Sequence, residues 1–142
     1  MTLAEKEQEI IDEFEIFDDW MDKYEYIIEL GNDLPEINEE KKTDDRLIEG
    51  CQSRVWLAMD VEDGKVKFSA DSDAIITKGI IGLLIRVLND ESAQAVATAE
   101  LNFIKEIGLY EHLSPTRSNG LASMVKKMKM SALTSILSLI HI

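Results

Sequence analysis

The stretch from Ala74 to Leu88 constrains this chain most. It holds only three polar side chains, Thr77, Lys78 and Arg86, and is otherwise apolar on every side. It falls short of the roughly 20 apolar residues of a membrane span. A helix that is apolar nearly all round lies at the centre of its domain, with partners on several faces. Gly79 and Gly82 sit inside it, three apart. Glycine in a helix interior costs roughly 1 kcal/mol relative to alanine. The compensation expected here is close approach of another backbone. The fold must therefore wrap around residues 74–88.

The flanking segments supply that wrapping. In residues 5–30, apolar side chains recur at Ile10, Phe14, Phe17, Met21, Tyr24 and Ile28, with acids on the outer face, which predicts acidic N-terminal helices. The pattern leaves open one helix or two. A break near Phe17–Trp20 would use Asp19 as a cap. Gly31 and Asn32 give a stop, Pro35 follows, and the polar run to Asp45 reads as a loop.

Residues 46–70 read as a cysteine loop and a small sheet. Val55, Leu57 and Met59 alternate with Arg54, Trp56 and Ala58; Asp63-Gly64 marks a hairpin turn; Val66 and Phe68 alternate with Lys65 and Lys67. Arg46-Leu47-Ile48 is a candidate third strand. Ser69–Asp73 reads as a cap cluster for the buried helix, with Asp71, Ser72 or Asp73 as the capping side chain. Beyond it, residues 92–140 read as C-terminal helices: short segments to Gly108, a turn-rich loop from His112 to Gly120, and a last helix from about Ser118 with Lys126, Lys127 and Lys129 upon it. The whole reads as one α+β domain over residues 1–142, an antiparallel sheet of two to three strands packed by helices.

Charge narrows the partners. The net formal charge is −13, and residues 1–49, with 18 acidic and 5 basic side chains, account for all of it. That argues against nucleic acid, which needs basic surface. It fits a solvated helix face, or steering toward a basic partner. With no basic, apolar leader and no membrane-length window, the expected setting is the cytoplasm, with no membrane partner.

One residue type carries distinct chemistry. Cys51 is the single cysteine. It can form no internal disulfide and no cysteine metal cage. By default a lone cysteine is a small buried hydrophobe. If it acts, it acts as a nucleophile or as a carrier of one group. Cations or turn N–H groups would favour its thiolate. Gly50 frees the backbone beside it, and Arg46, Arg54 and Arg117 are the candidate cations. No phosphate loop, HExxH motif or metal-ligand cluster is present, and His112 and His141 stand alone.

Ile48-Glu49-Gly50-Cys51-Gln52-Ser53-Arg54-Val55-Trp56 resembles the sulfur-acceptor loop of the SufE family of cysteine desulfuration proteins. Three further stretches agree in order and spacing. They are Tyr26–Gly31 with Leu34-Pro35, Ser72–Gly79, and His112–Leu121. The resemblance runs from about residue 14 to about 130. It implies an α+β fold and a sulfur carrier. Such a protein takes persulfide sulfur from a SufS-type cysteine desulfurase onto Cys51, stimulates that enzyme, and delivers sulfur to a SufBCD-like scaffold for iron–sulfur cluster assembly. It implies no cofactor on this chain, pyridoxal phosphate belonging to the desulfurase, and no independent turnover. Gly50, Gln52, Ser53 and Arg117 would support the loop, with Arg117 on the family's loop arginine. Val55, Trp56 and Leu113 are the residues expected to shield the sulfur. The apolar run from Ala132 to Ile142 departs from the family, which leaves monomer or homodimer open. Two other classes remain: a non-covalent adaptor that activates a desulfurase without carrying sulfur, and a thiol enzyme, which needs a base beside Cys51.

Overall fold

The computed structural model describes residues 1–140. His141 and Ile142, the end of the apolar tail, lie outside the described residues.

The N-terminal helical segment is two helices. Helix α1 spans Leu3–Glu15 and opens on a reciprocal capping box between Thr2 and Glu5. Helix α2 spans Trp20–Leu30, and its N-cap is Asp19, whose carboxylate accepts from the Asp22 N–H. Of the two readings left open, the structure has two helices, with the break before Trp20 and Asp19 as its cap.

Helix α3, Ile75–Leu88, is the central element, with ten of its residues buried. Full burial of a Leu or Ile is worth about 1.5–3 kcal/mol, so this helix anchors the core. Its glycines do what the sequence asked of them. A Cβ on Gly79 would run into the backbone carbonyl of Ile27, and one on Gly82 would lie 3.3 Å from the Leu30 carbonyl oxygen. Gly31 answers from the other side, where a Cβ would stand 3.2 Å from the Gly79 nitrogen. Helix α2 thus crosses α3 backbone to backbone. Gly31 is right-handed (φ −62°), and the chain continues there as a short 3-10 turn, Gly31–Asp33. Its smallness serves the crossing rather than a left-handed stop. Arg86 of α3 reaches Glu9, at 2.8 Å, and Glu13, tying α1 to the same core.

Strands β1, Val55–Glu62, and β2, Lys65–Ser72, form an antiparallel hairpin. Asp63 (φ 53°) and Gly64 (φ 76°) make its two-residue turn, both left-handed as such a turn requires. Val55, Leu57 and Met59 face Ser72, Ala70 and Phe68 across the ladder, giving the sheet its core side. The candidate third strand shrinks to one bridge, Leu47 to Trp56, with the Ile48 N–H donating to Val55 O at 2.9 Å. Arg46 instead closes a 3-10 turn, Asp44–Arg46. The loop after Pro35 is more ordered than its composition suggests. Glu36 bridges Ala70 in parallel on the far edge of β2, and Leu34 and Ile37 are buried.

Two readings of the connections need correction. Ser69–Ser72 belong to β2, and Ala74 is the N-cap of α3, with no side-chain cap. Ser72 accepts from the Ala74 N–H, while the Asp73 carboxylate accepts from the Arg54 N–H at 3.1 Å, closing the open end of the hairpin. The ladder outcompetes the cap because both of its strands were in place to extend. The loop from His112 to Gly120 is largely helical. Short helices α4, Ala93–Thr98, α5, Phe103–Glu106, and α6, Leu109–His112, lead to α7, which runs from Pro115 to Ile140. Proline suits a first helical position because its missing N–H is not needed there.

Candidate functional site

Cys51 sits on the loop between the 3-10 turn at Asp44–Arg46 and β1. Two glycines let it approach the rest of the molecule. Gly50 is left-handed (φ 90°), and a Cβ there would also strike the Ser123 hydroxyl of α7. Gly120, on α7, leaves the space the cysteine fills. A Cβ at that position would stand 3.5 Å from Cys51 Sγ. The thiol points at the Gly120 carbonyl oxygen, 3.6 Å away, and is half-buried.

The thiol opens on a small cavity of about 60 Å³. Cys51, Gln52 and Ser53 form its loop wall. Thr77 and Ile80 come from α3, and Thr116, Arg117, Gly120 and Met124 from α7. Thr77 lies in the first turn of α3, and Thr116 and Arg117 in the first turn of α7. Two helix N-termini, where free N–H groups and the positive end of the dipole gather, therefore border one cavity.

The electrostatics differ from the expectation of an activated thiolate. Burial pushes the Cys51 thiol up from its ordinary value. Of the candidate cations, Arg117 alone borders the cavity. Arg46 is turned away onto the Lys41 carbonyl at 3.3 Å and the Thr43 hydroxyl at 3.1 Å. Arg54 is exposed, outside the cavity lining. Among the described residues no histidine or carboxylate lines the cavity. His112 is used elsewhere: its ring stacks on Trp20 with centroids 4.0 Å apart, Nδ1 lies 2.9 Å from Gly108 O, and its own carbonyl accepts from the Tyr24 hydroxyl. Among the described residues no general base stands beside the cysteine, which is what a thiol enzyme would need.

Gly50, Cys51, Gln52, Ser53 and Arg117 are brought together as a group. The three residues expected to shield the sulfur are not among the cavity's walls. Val55 is fully buried on the core side of the sheet. Trp56 points to the other face, half-buried, with Lys42 Nζ 5.5 Å from its ring centroid. Leu113 is buried beyond the end of α6. Sequence neighbours of a loop residue leave it as soon as the strand begins, so proximity along the chain was a poor guide. Thr77, Ile80, Thr116, Gly120 and Met124 line the cavity at the thiol instead. Most of them lie within the family-like stretches Ser72–Gly79 and His112–Leu121, but nothing in their spacing marks them as facing a thiol.

Beside this cavity runs a wider groove of about 500 Å³ between the 3-10 turn and α7. Asp44, Asp45 and Glu49 line one bank, and Lys126 and Lys127 the other. Among the described residues no group of metal-ligating side chains occurs, and no helix is long and apolar enough to cross a membrane.

Comparison with known proteins agrees with this geometry. Residues 8–132 match the SufE family model, described as an Fe-S metabolism associated domain. The apolar tail after Ala132 falls outside the match. An uncharacterised SufE-like protein of Rhizobium etli is 42% identical over 129 residues, covering 87% of each chain. Another, from Rhizobium meliloti, is 39% identical, covering 87% of this chain and 92% of that protein. The solution structure of a hypothetical protein from Thermus thermophilus superposes with a TM-score of 0.77 at 22% identity, over 93% of this chain and 96% of that one, and shows the same fold. With a family match over most of its length and relatives at about 40% identity, this chain belongs to the SufE family.

Proposed function

We propose that this protein is a sulfur carrier. It takes a sulfane sulfur from the persulfide of a SufS-type cysteine desulfurase onto Cys51, stimulates that enzyme, and passes the sulfur to a SufBCD-like scaffold. Family membership ties the chain to Fe–S metabolism. The observation that carries the finer reading is the cavity at Cys51. It is about 60 Å³ in volume, which leaves room for one added sulfur beside the thiol. A carrier needs such a space, because an exposed persulfide is lost to any thiol that reaches it.

The transfer is thiol exchange. The Cys51 thiolate attacks the outer sulfur of the donor persulfide, a new S–S bond forms on Cys51, and the donor's own S–S bond breaks. The donor leaves as thiolate, and the Cys51 proton passes to solvent or to the leaving sulfur. In the free protein, burial holds the thiol protonated, so attack requires the partner to lower that cost on docking. The groove lined by Asp44, Asp45, Lys126 and Lys127 adjoins the loop and offers both signs of charge to such a partner. Pyridoxal phosphate stays on the desulfurase.

The protonated thiol also favours one second reading, an adaptor that activates the desulfurase without carrying sulfur. Incubation with a cysteine desulfurase and free cysteine, followed by intact-mass and peptide mass spectrometry, separates the two. The carrier gains the mass of one sulfur atom on the peptide holding Cys51, and Cys51→Ser abolishes stimulation while still binding. An unmodified Cys51, with stimulation retained in Cys51→Ser, would leave the adaptor.

A further inference from the structure

Thr77 is the single buried polar side chain among the described residues, with 7% of its surface exposed. Buried hydroxyls normally find a partner. Helical ones commonly return their proton to the carbonyl one turn back, as Thr98 does to Gln94 O and Ser131 to Lys127 O, both at 2.8 Å. Thr77 makes no such bond, and its hydroxyl is not one of the enclosed side-chain atoms left without a partner, so it has access to solvent rather than being sealed in the core. It borders the Cys51 cavity from the first turn of α3. A core helix that is apolar on nearly every side thus presents a hydroxyl-bearing residue to the cavity that the thiol lines. Valine would pack there equally well, so packing does not call for the oxygen.

The cavity suits an anion better than it suits the resting thiol. The N-terminal turns of α3 and α7 border it, Arg117 lies in its wall, and no carboxylate does. The thiol is uncharged, and its neighbour in the structure is a carbonyl oxygen, an acceptor. A donor such as the Thr77 hydroxyl gains a charged partner once a terminal sulfur bearing negative charge occupies the cavity.

We propose that Thr77 is a positioning residue for the sulfur cargo: its hydroxyl donates to the terminal sulfur of the Cys51 persulfide and holds it inside the cavity. This rests on the carrier reading and specifies how the cargo is kept. A hydrogen bond to a charged acceptor is the strong kind, so its loss is expected to shorten the life of the bound sulfur about tenfold.

The test compares wild type, Thr77→Val and Thr77→Ser. Each is loaded in two ways, by a cysteine desulfurase with free cysteine and by inorganic polysulfide, then challenged with a soluble thiol. Sulfur remaining on Cys51 is followed by mass spectrometry, and thermal melts are recorded alongside. The expected result is rapid loss from Thr77→Val, near wild-type retention in Thr77→Ser, and melting temperatures close to wild type for both. Equal decay in wild type and Thr77→Val overturns the role of Thr77 and leaves the carrier reading standing. Wild type that loads from polysulfide but never from the desulfurase overturns the carrier reading; the decay rates of the polysulfide-loaded variants then decide the Thr77 bond alone. A Thr77→Ser variant that decays as fast as Thr77→Val also overturns the bond, because the defect would lie in packing.

Discussion

Cys51 Sγ is the one thiol sulfur of this chain, and its environment favours the neutral form. Half-burial raises the thiol's proton affinity above that of the unfolded chain, where a cysteine titrates near about 8.5. The native state therefore binds more protons than the unfolded state in the window above that value. The stability this contributes is complete below the unfolded pKa and is lost as pH rises through the folded one. Alkylation with iodoacetamide should show it: half-maximal reactivity of the native chain falls at higher pH than in the urea-unfolded chain. A native midpoint at or below the unfolded one would mean that Arg117 and the helix N-termini outweigh burial. Gly50, Cys51, Gln52 and Ser53 could be read together because they are neighbours in the sequence, whereas Arg117, on α7, was joined to them only through the family resemblance. Val55, Trp56 and Leu113 were not correctly assigned as a shield, because shielding is set by which elements cross over the loop. Thr77 and Gly120 line the cavity only because the first turns of α3 and α7 meet there.

At the scale of elements, the crossing of α2 over α3 carries the most strain-sensitive contact. Gly79→Ala drives a methyl group into the Ile27 carbonyl, where both partners are helix backbone. The expected cost is about 3 kcal/mol or more, at the upper end of overpacking effects. Gly82→Ala meets the Leu30 carbonyl oxygen at 3.3 Å, a tighter approach than usual but relieved by a small shift. Its better helix propensity, worth about 1 kcal/mol, should offset most of that strain. Urea melts of the two variants check this. A Gly79→Ala protein as stable as Gly82→Ala would show that α2 slides freely on α3. Although the division of residues 5–30 into two helices was left open, the hairpin, the helical character of residues 5–30 and the central helix were visible in the sequence, because period-2 and period-3.6 patterns are local. The bridge at Glu36, the extension of β2 through Ser72 and the helical start at Pro115 were not. Each depends on a partner distant in the chain or on competition between a cap and a ladder.

Across the whole molecule, the charge lies on one side of the sequence but is partly answered in space. Arg86 pairs with Glu9 and Glu13, Lys78 with Glu36, and Lys6 with Glu91. Most of the 18 acids in residues 1–49 nonetheless remain without a cation in contact, so self-repulsion opposes compaction. Raising ionic strength from about 0.01 to about 0.15 M shortens the screening length from about 30 to about 8 Å. The melting temperature is expected to rise by about 2–4 °C, equivalent to about 1 kcal/mol for a chain of this size. A fall over that range would mean that the ion pairs contribute more than the repulsion costs. By itself the sequence determined most element types, the buried central helix and the close-packing glycines, and it singled out Cys51 as the one thiol, because propensity, periodicity and backbone freedom are written in neighbouring side chains. Only the tertiary structure decided what surrounds the sulfur. The cavity exists where three segments distant in the chain meet, and no local pattern records which of their side chains turn toward a common point.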